Sequence, residues 1–183
     1  MSASLWRVRA RLPQRCATRL LAGALCLTAL WANLAAAAPS AEPWALWNSS
    51  DEQNEAPIDH SAWQTLLDAY VVTLADGRTA FRYRAVTQKD QRSLDTYLQQ
   101  QAAIDPRGFN RDTQMAYWIN LYNALTVKVV LDNPKKKSIL RMGGGWLPRG
   151  PWDDAVISVA GQSLTLNDIE HRILRPIWQD HRI

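Results

Sequence analysis

Four polar residues stand where helices would ordinarily carry aliphatic ones. Residues 112–132 read as the longest helix, with Asp112 as its cap and Pro134 ending it. On a wheel at about 100° per residue, Gln114, Lys128 and Asp132 gather on one side, which reads as the solvent face. Opposite them lie Ile119, Thr126 and Val130, with Asn123 near the middle of that arc and Asn120 on its edge. A last helix opens with Thr165 and Asp168 as a capping box and ends at Pro176. Leu166, Ile169, Ile173 and Leu174 mark its apolar stripe; Glu170 projects inside that stripe and His171 lies on its flank.

Amides and carboxylates in apolar surroundings must find partners. An unpaired buried amide forfeits its hydrogen bonds to water, and a carboxylate facing a core needs a cation or several donors, or its pKa rises. Two readings follow. In one, Asn120 and Asn123 tie down a neighbouring loop, and Glu170 pairs with an arginine such as Arg172 or Arg175. In the other, a perturbed acid beside an imidazole forms an acid/base centre, with the asparagines lining the same cavity.

Other chemistries find less footing. His60, His171 and His181 show no metal spacing, and no run of acids resembles a calcium loop, so neither metal nor cofactor is expected. Gly143, Gly144 and Gly145 lack the Gly-Lys-Ser/Thr ending of a phosphate loop, and no Gly-x-Ser-x-Gly elbow occurs. Trp146 and Trp152, in the Gly/Pro-rich loop from Met142 to Pro151 and just beyond, are candidate anchors for a peptide, glycan or partner protein. Lys135, Lys136 and Lys137 read as a solvated turn.

The elements that must position these residues suggest a helix-rich α+β single domain with a small antiparallel sheet or hairpin. Ser61 and Gln64 read as a capping box, followed by Trp63, Leu66, Leu67, Tyr70 and Val71 at helical spacing. Asp76-Gly77 makes a turn, and Phe81 and Tyr83 alternate with Arg82 and Arg84 as a short strand. Thr87 with Asp90 opens another helix, with Leu94, Tyr97 and Leu98 inward, broken by Pro106 and Gly108. Val156–Val159 and Gln162–Leu164 read as a hairpin around Ala160-Gly161.

The amino terminus reads as a secretory signal over residues 1–37. Arg7, Arg9, Arg11, Arg15 and Arg19 precede an apolar run from Leu20 to Leu34, and small residues follow, with cleavage expected after Ala37. An organelle transit peptide and an uncleaved anchor are the alternatives. Residues 38–57, Pro-containing and polar, read as a linker to a domain over 58–183. Five of the 21 basic residues and none of the 17 acids lie in the signal, so the remainder carries 16 against 17, a net charge of −1. The basic footprint of a nucleic-acid binder disappears with it. Both cysteines, Cys16 and Cys26, leave too, which removes any disulfide or thiolate from the processed chain. A periplasmic or secreted location is expected, with membrane contact only through the signal before cleavage.

Ala116-Tyr-Trp-Ile-Asn-Leu-Tyr-Asn-Ala-Leu-Thr126, then Ser138-Ile139, Pro151-Trp152 and Ser163-Leu-Thr-Leu-Asn-Asp-Ile-Glu-His-Arg-Ile-Leu-Arg-Pro176, resemble the family known as domain of unknown function 547. The likeness runs from about Ile58 to the end. It implies a domain often exported in bacteria, whose Asn-containing and Glu-His blocks match Asn120, Asn123, Glu170 and His171. It also implies a pattern continuing, just after the segment matching Asp180-His181-Arg182-Ile183, into a strand bearing a cysteine. The chain would thus be a fragment or a truncated product. Two functions stay open. The complete domain would be a thiol-dependent hydrolase or transferase, with His171 as base and Glu170 or an asparagine orienting it. Alternatively it is a non-catalytic envelope module binding a small molecule, peptide, glycan or partner protein.

Overall fold

Side-chain caps at Asp59, Thr87, Asn110 and Thr165 each accept a backbone amide where a helical element opens, and long-range apolar contacts stack the elements. The computed structural model describes residues 42–145 and 150–183. The signal reading, its cleavage point and Trp146 therefore lie outside the described residues. Helix α1 spans Ser61–Tyr70, α2 Gln88–Ala102 and α3 Arg111–Asp132. Strands β1 (Val71–Thr73) and β2 (Thr79–Phe81) form one antiparallel pair. Strands β3 (Ala155–Val159) and β4 (Gln162–Thr165) form a second, separate pair. The chain ends in a π-helical segment, Asp168–Leu174, that runs into α4, Arg175–Trp178. The helix-rich α+β architecture with small antiparallel sheets is the one the sequence suggests.

Local chemistry explains most of the boundaries. The Thr87 hydroxyl accepts from the Asp90 amide at the start of α2. At the last helix the capping box closes in both directions: the Asp168 amide donates to Thr165 Oγ1, and the Thr165 amide donates to Asp168 Oδ2, each at 3.0 Å. Ala160 and Gly161 adopt φ of 45° and 77°, the left-handed pair that a two-residue hairpin requires. Two expected caps are corrected. Ser61 is already helical, and its amide is taken by the Asp59 carboxylate at 2.8 Å. Asn110, not Asp112, caps α3, accepting from the Thr113 amide at 2.9 Å. Val71, expected at the end of α1, begins β1 instead, and Tyr83 falls in a 3-10 turn after β2.

The core lies among α1, α2, α3 and the β3–β4 hairpin. Leu94, Tyr97 and Leu98 face inward from α2 as their spacing requires, each such burial being worth about 1.5–3 kcal/mol. The supposed linker is not one. Trp47 is fully buried and meets Trp118 edge-to-face at 5.1 Å, while Trp44 packs against Trp47 and lies under the Arg172 guanidinium. The segment from Trp44 to Asn54 is a strap. The Gln114 amide holds it, donating to Ser49 O at 2.9 Å and to Phe109 O at 2.8 Å.

The wheel reading of α3 has the wrong side inward. Gln114, Tyr117, Trp118, Leu121, Ala124 and Leu125 are buried, whereas Asn123 is exposed and Ile119, Thr126 and Val130 are half-buried. Gln114 shares its side of the helix with the bulkiest apolar residues. Once its amide is paired with the strap, that side buries more surface than the other offers.

Candidate functional site

Glu170 and His171 sit in the π-helical segment, a wide-turn geometry that is rare and frequently found at functional sites. Pro176 lacks the amide that would continue the ladder, and the Trp44 amide of the strap reaches the Arg172 carbonyl at 2.9 Å. The widened turn leaves Glu170 partly exposed beside α3, where the Tyr122 hydroxyl donates to its Oε2 at 2.7 Å. Arg175 donates to its Oε1 from Nε at 3.1 Å and from a terminal nitrogen at 2.6 Å. Burial pushes this carboxyl up, but the Tyr122 hydroxyl and the Arg175 guanidinium outweigh it, and the pKa lies below the usual value. Glu170 is therefore a paired anion and not the raised acid that a proton-transfer role would use. Burial, reinforced by this hydrogen bond, drives the Tyr122 phenol well above its ordinary pKa.

The four expected site residues do not form one hydrogen-bonded centre. Asn123 points into solvent because it rides on the outer side of α3. Asn120 and His171 are half-buried, and their side chains make no hydrogen bond among the described residues. Glu170 meets α3, but through Tyr122 instead of either asparagine. No distinct signal for this stands in the sequence, since Tyr122 reads equally well as a packing aromatic of α3. Trp152 is half-buried against the core, and its ring would stand 2.5 Å from a Cβ on Gly150, so it is packed rather than displayed.

A different concavity lies between α2, α3 and β3. It encloses about 530 Å³ and is lined by Leu98, Ala102, Leu125 and Val129 below, by Asp95, Gln99, Lys128 and Asp132 at its rim, and by Ala155, Val156 and Ile157 along one wall. Lys128 sits between two carboxylates: its Nζ is 3.2 Å from Asp95 Oδ1 and also contacts Asp132 Oδ1, one turn along α3. Burial alone would lower the Lys128 pKa, but the two acids outweigh it and raise it. The ammonium is thus held charged and is no latent nucleophile. Asp95 Oδ1 is shielded from solvent, and the Lys128 ammonium is the counter-charge that compensates its burial. Sequence reasoning put Lys128 and Asp132 in solvent and missed this cleft, since Asp95 joins them only when α2 and α3 pack.

The β3 wall has an open edge. Among the described residues its only strand partner is β4, with a bulge between Ala155 and Ile157, and no backbone hydrogen bond from another element reaches its outer side. No group of three or more His, Cys, Asp or Glu among the described residues is arranged to hold a metal ion. No described helix is long and apolar enough to cross a membrane.

Fold and cleft together define a small helix-rich α+β domain in which the outer edge of β3 lies beside an acid-rimmed groove. Residues 106–182 match the family model described as "Protein of unknown function, DUF547", so the chain resembles that family from the turn before α3 to residue 182. Both long sequence blocks fall within the match, and the stretch from Ile58 to residue 105 lies outside it. No curated protein and no solved structure matches the chain.

Proposed function

We propose that this chain is a non-catalytic binding module that takes an extended peptide in the cleft between α2, α3 and β3. One observation carries the reading: the unpaired edge of β3 borders an apolar-floored groove deep enough for side chains. A peptide laid along that edge would satisfy its backbone groups as an added strand, and alternate side chains would enter the groove. Asp95 and Asp132 outnumber Lys128 at the rim and favour a peptide bearing lysine or arginine.

The test is binding of octapeptides that alternate valine with lysine or with glutamate. The lysine peptide is expected to protect the amides of residues 155–157 from hydrogen exchange. Asp95→Asn with Asp132→Asn should weaken it by roughly three- to ten-fold, the worth of exposed ion pairs. Saturating peptide that leaves these amides unprotected would end the proposal.

The thiol-dependent hydrolase or transferase reading draws on the unpaired imidazole of His171. It is supported less, because both Glu170 oxygens are committed to Tyr122 and Arg175, and the attacking cysteine would have to lie outside residues 38–183. Identical substrate capture before and after iodoacetamide treatment of a longer gene product would dispose of it. An exported location rests on the Arg-rich start and the Leu20–Leu34 run. Recovery from the periplasm or medium of a chain beginning at Ala38 is the expected result, and a cytoplasmic chain retaining residue 1 the contrary one.

A further inference from the structure

The corner that follows α3 combines charge and apolar exposure in a way the peptide cleft does not use. From Asn133 to Trp152 the sequence contains Lys135, Lys136, Lys137, Arg141 and Arg149 and no acid. Lys135, Lys136, Lys137 and Arg141 are exposed, and none of the four takes part in an ion pair among the described residues. Between Lys137 and Arg141 in the chain stands Leu140, 51% exposed, the largest exposure among the bulky apolar side chains described.

Leu140 is held outward. It occupies the middle of a 3-10 turn, Ile139–Arg141, in which the Arg141 amide donates to Ser138 O at 3.0 Å. Its own carbonyl accepts from the Gly150 amide at 2.8 Å, and the preceding carbonyl, Ile139 O, accepts from the Met142 amide at 2.9 Å, so the peptide groups on both sides of the exposed side chain are held. Beside it, Lys137, Ser138, Leu140 and Arg141 line a hollow of about 480 Å³. Two cations and a hydroxyl suit a phosphate oxygen cluster, and the adjoining leucine suits the start of an acyl chain.

We propose that the Lys135–Arg141 corner docks the protein on an anionic phospholipid surface, with a headgroup phosphate in this hollow and Leu140 in the acyl boundary. Cations alone would suit any polyanion. An aliphatic side chain exposed in the same hollow as Lys137 and Arg141 gains nothing from a soluble polyanion but gains burial at a bilayer, which singles out the lipid surface.

The amino-terminal apolar run could itself touch lipid, so the readout must be local to the corner. The whole chain has five lysines, Lys89, Lys128 and the three of the corner, and none before residue 89. Acylation of the full chain by acetyl N-hydroxysuccinimide, read by mass spectrometry, therefore reports the corner without contribution from the amino terminus. Phosphatidylglycerol vesicles are expected to slow acylation of Lys135 and Lys136 several-fold, phosphatidylcholine vesicles to do so much less, and Lys89 to be unchanged in both. Lys137→Gln with Arg141→Gln should weaken the vesicle affinity behind this protection by roughly 30-fold, at about 1 kcal/mol per charge. Leu140→Ala should weaken it several-fold while leaving any protection by inorganic polyphosphate intact. All three positions are exposed and outside the core, and an unchanged melting temperature will verify the fold. Equal protection of Lys89, indifference to lipid charge, or a Leu140→Ala variant that binds vesicles as before would each overturn the proposal. Protection by polyphosphate equal to that by vesicles would reassign the corner to soluble polyanions and overturn it as well.

Discussion

Replacing Trp47 by alanine tests whether the strap is part of the domain. Trp47 is fully buried, touches Trp118 edge-to-face, and lies under the Arg107 guanidinium at 5.8 Å. Truncating a buried tryptophan costs about 3–5 kcal/mol. For a domain of roughly 140 residues, whose unfolding entropy is about 2.1 cal/mol/K per residue, that corresponds to a fall in Tm of about 10–17 °C. The assay is a thermal melt followed by circular dichroism, with denaturant unfolding to verify a single transition. A second variant sharpens the inference. The Trp47 indole nitrogen is buried without a hydrogen-bond partner, so Trp47→Phe removes an unsatisfied donor and most of the ring stays. Its loss of Tm should be less than half that of the alanine variant. A Tm change under about 2 °C for Trp47→Ala would refute the reasoning and return residues 44–54 to the status of a linker.

Two further outcomes follow from shielded polar groups. Gln114→Leu leaves Ser49 O without its donor and takes one of two from Phe109 O, which keeps the Asp51 amide; a loss of about 1–3 kcal/mol is expected in urea denaturation, whereas a solvent-facing Gln114 would tolerate the change. His60 shares a 2.8 Å hydrogen bond with the Tyr97 hydroxyl, and burial lowers its pKa while Asp59 opposes this. The unfolded chain therefore takes up the His60 proton first as pH falls below about 6.5. Its contribution to stability is complete above that pH and declines from there toward the depressed folded value. Urea midpoints between about pH 5 and pH 7.5 should show this decline in the wild type and a flatter profile in His60→Asn; parallel profiles would contradict the assignment.

What could be read from the sequence is what short-range chemistry controls. The Thr87 and Thr165 caps, the Ala160-Gly161 turn and the inward face of α2 each depend on residues within about one or two turns of each other, so their spacing announces them. The same reasoning saw that Glu170 would need a cation and named Arg175 as a candidate. Orientation of α3 was not legible. Both of its sides carry apolar residues, and only the arrival of the strap, more than sixty positions away, gives Gln114 its partners and turns the Trp118 side inward. Asn123 consequently faces water and the expected catalytic cluster does not assemble. The cleft belongs to the same category, because Asp95, Lys128 and β3 come from three elements that share nothing in sequence. Local propensity and capping act between neighbours along the chain. The choice of buried face and the making of a cavity depend on which distant surfaces meet, and that is settled by the total area and hydrogen bonding of the packed molecule.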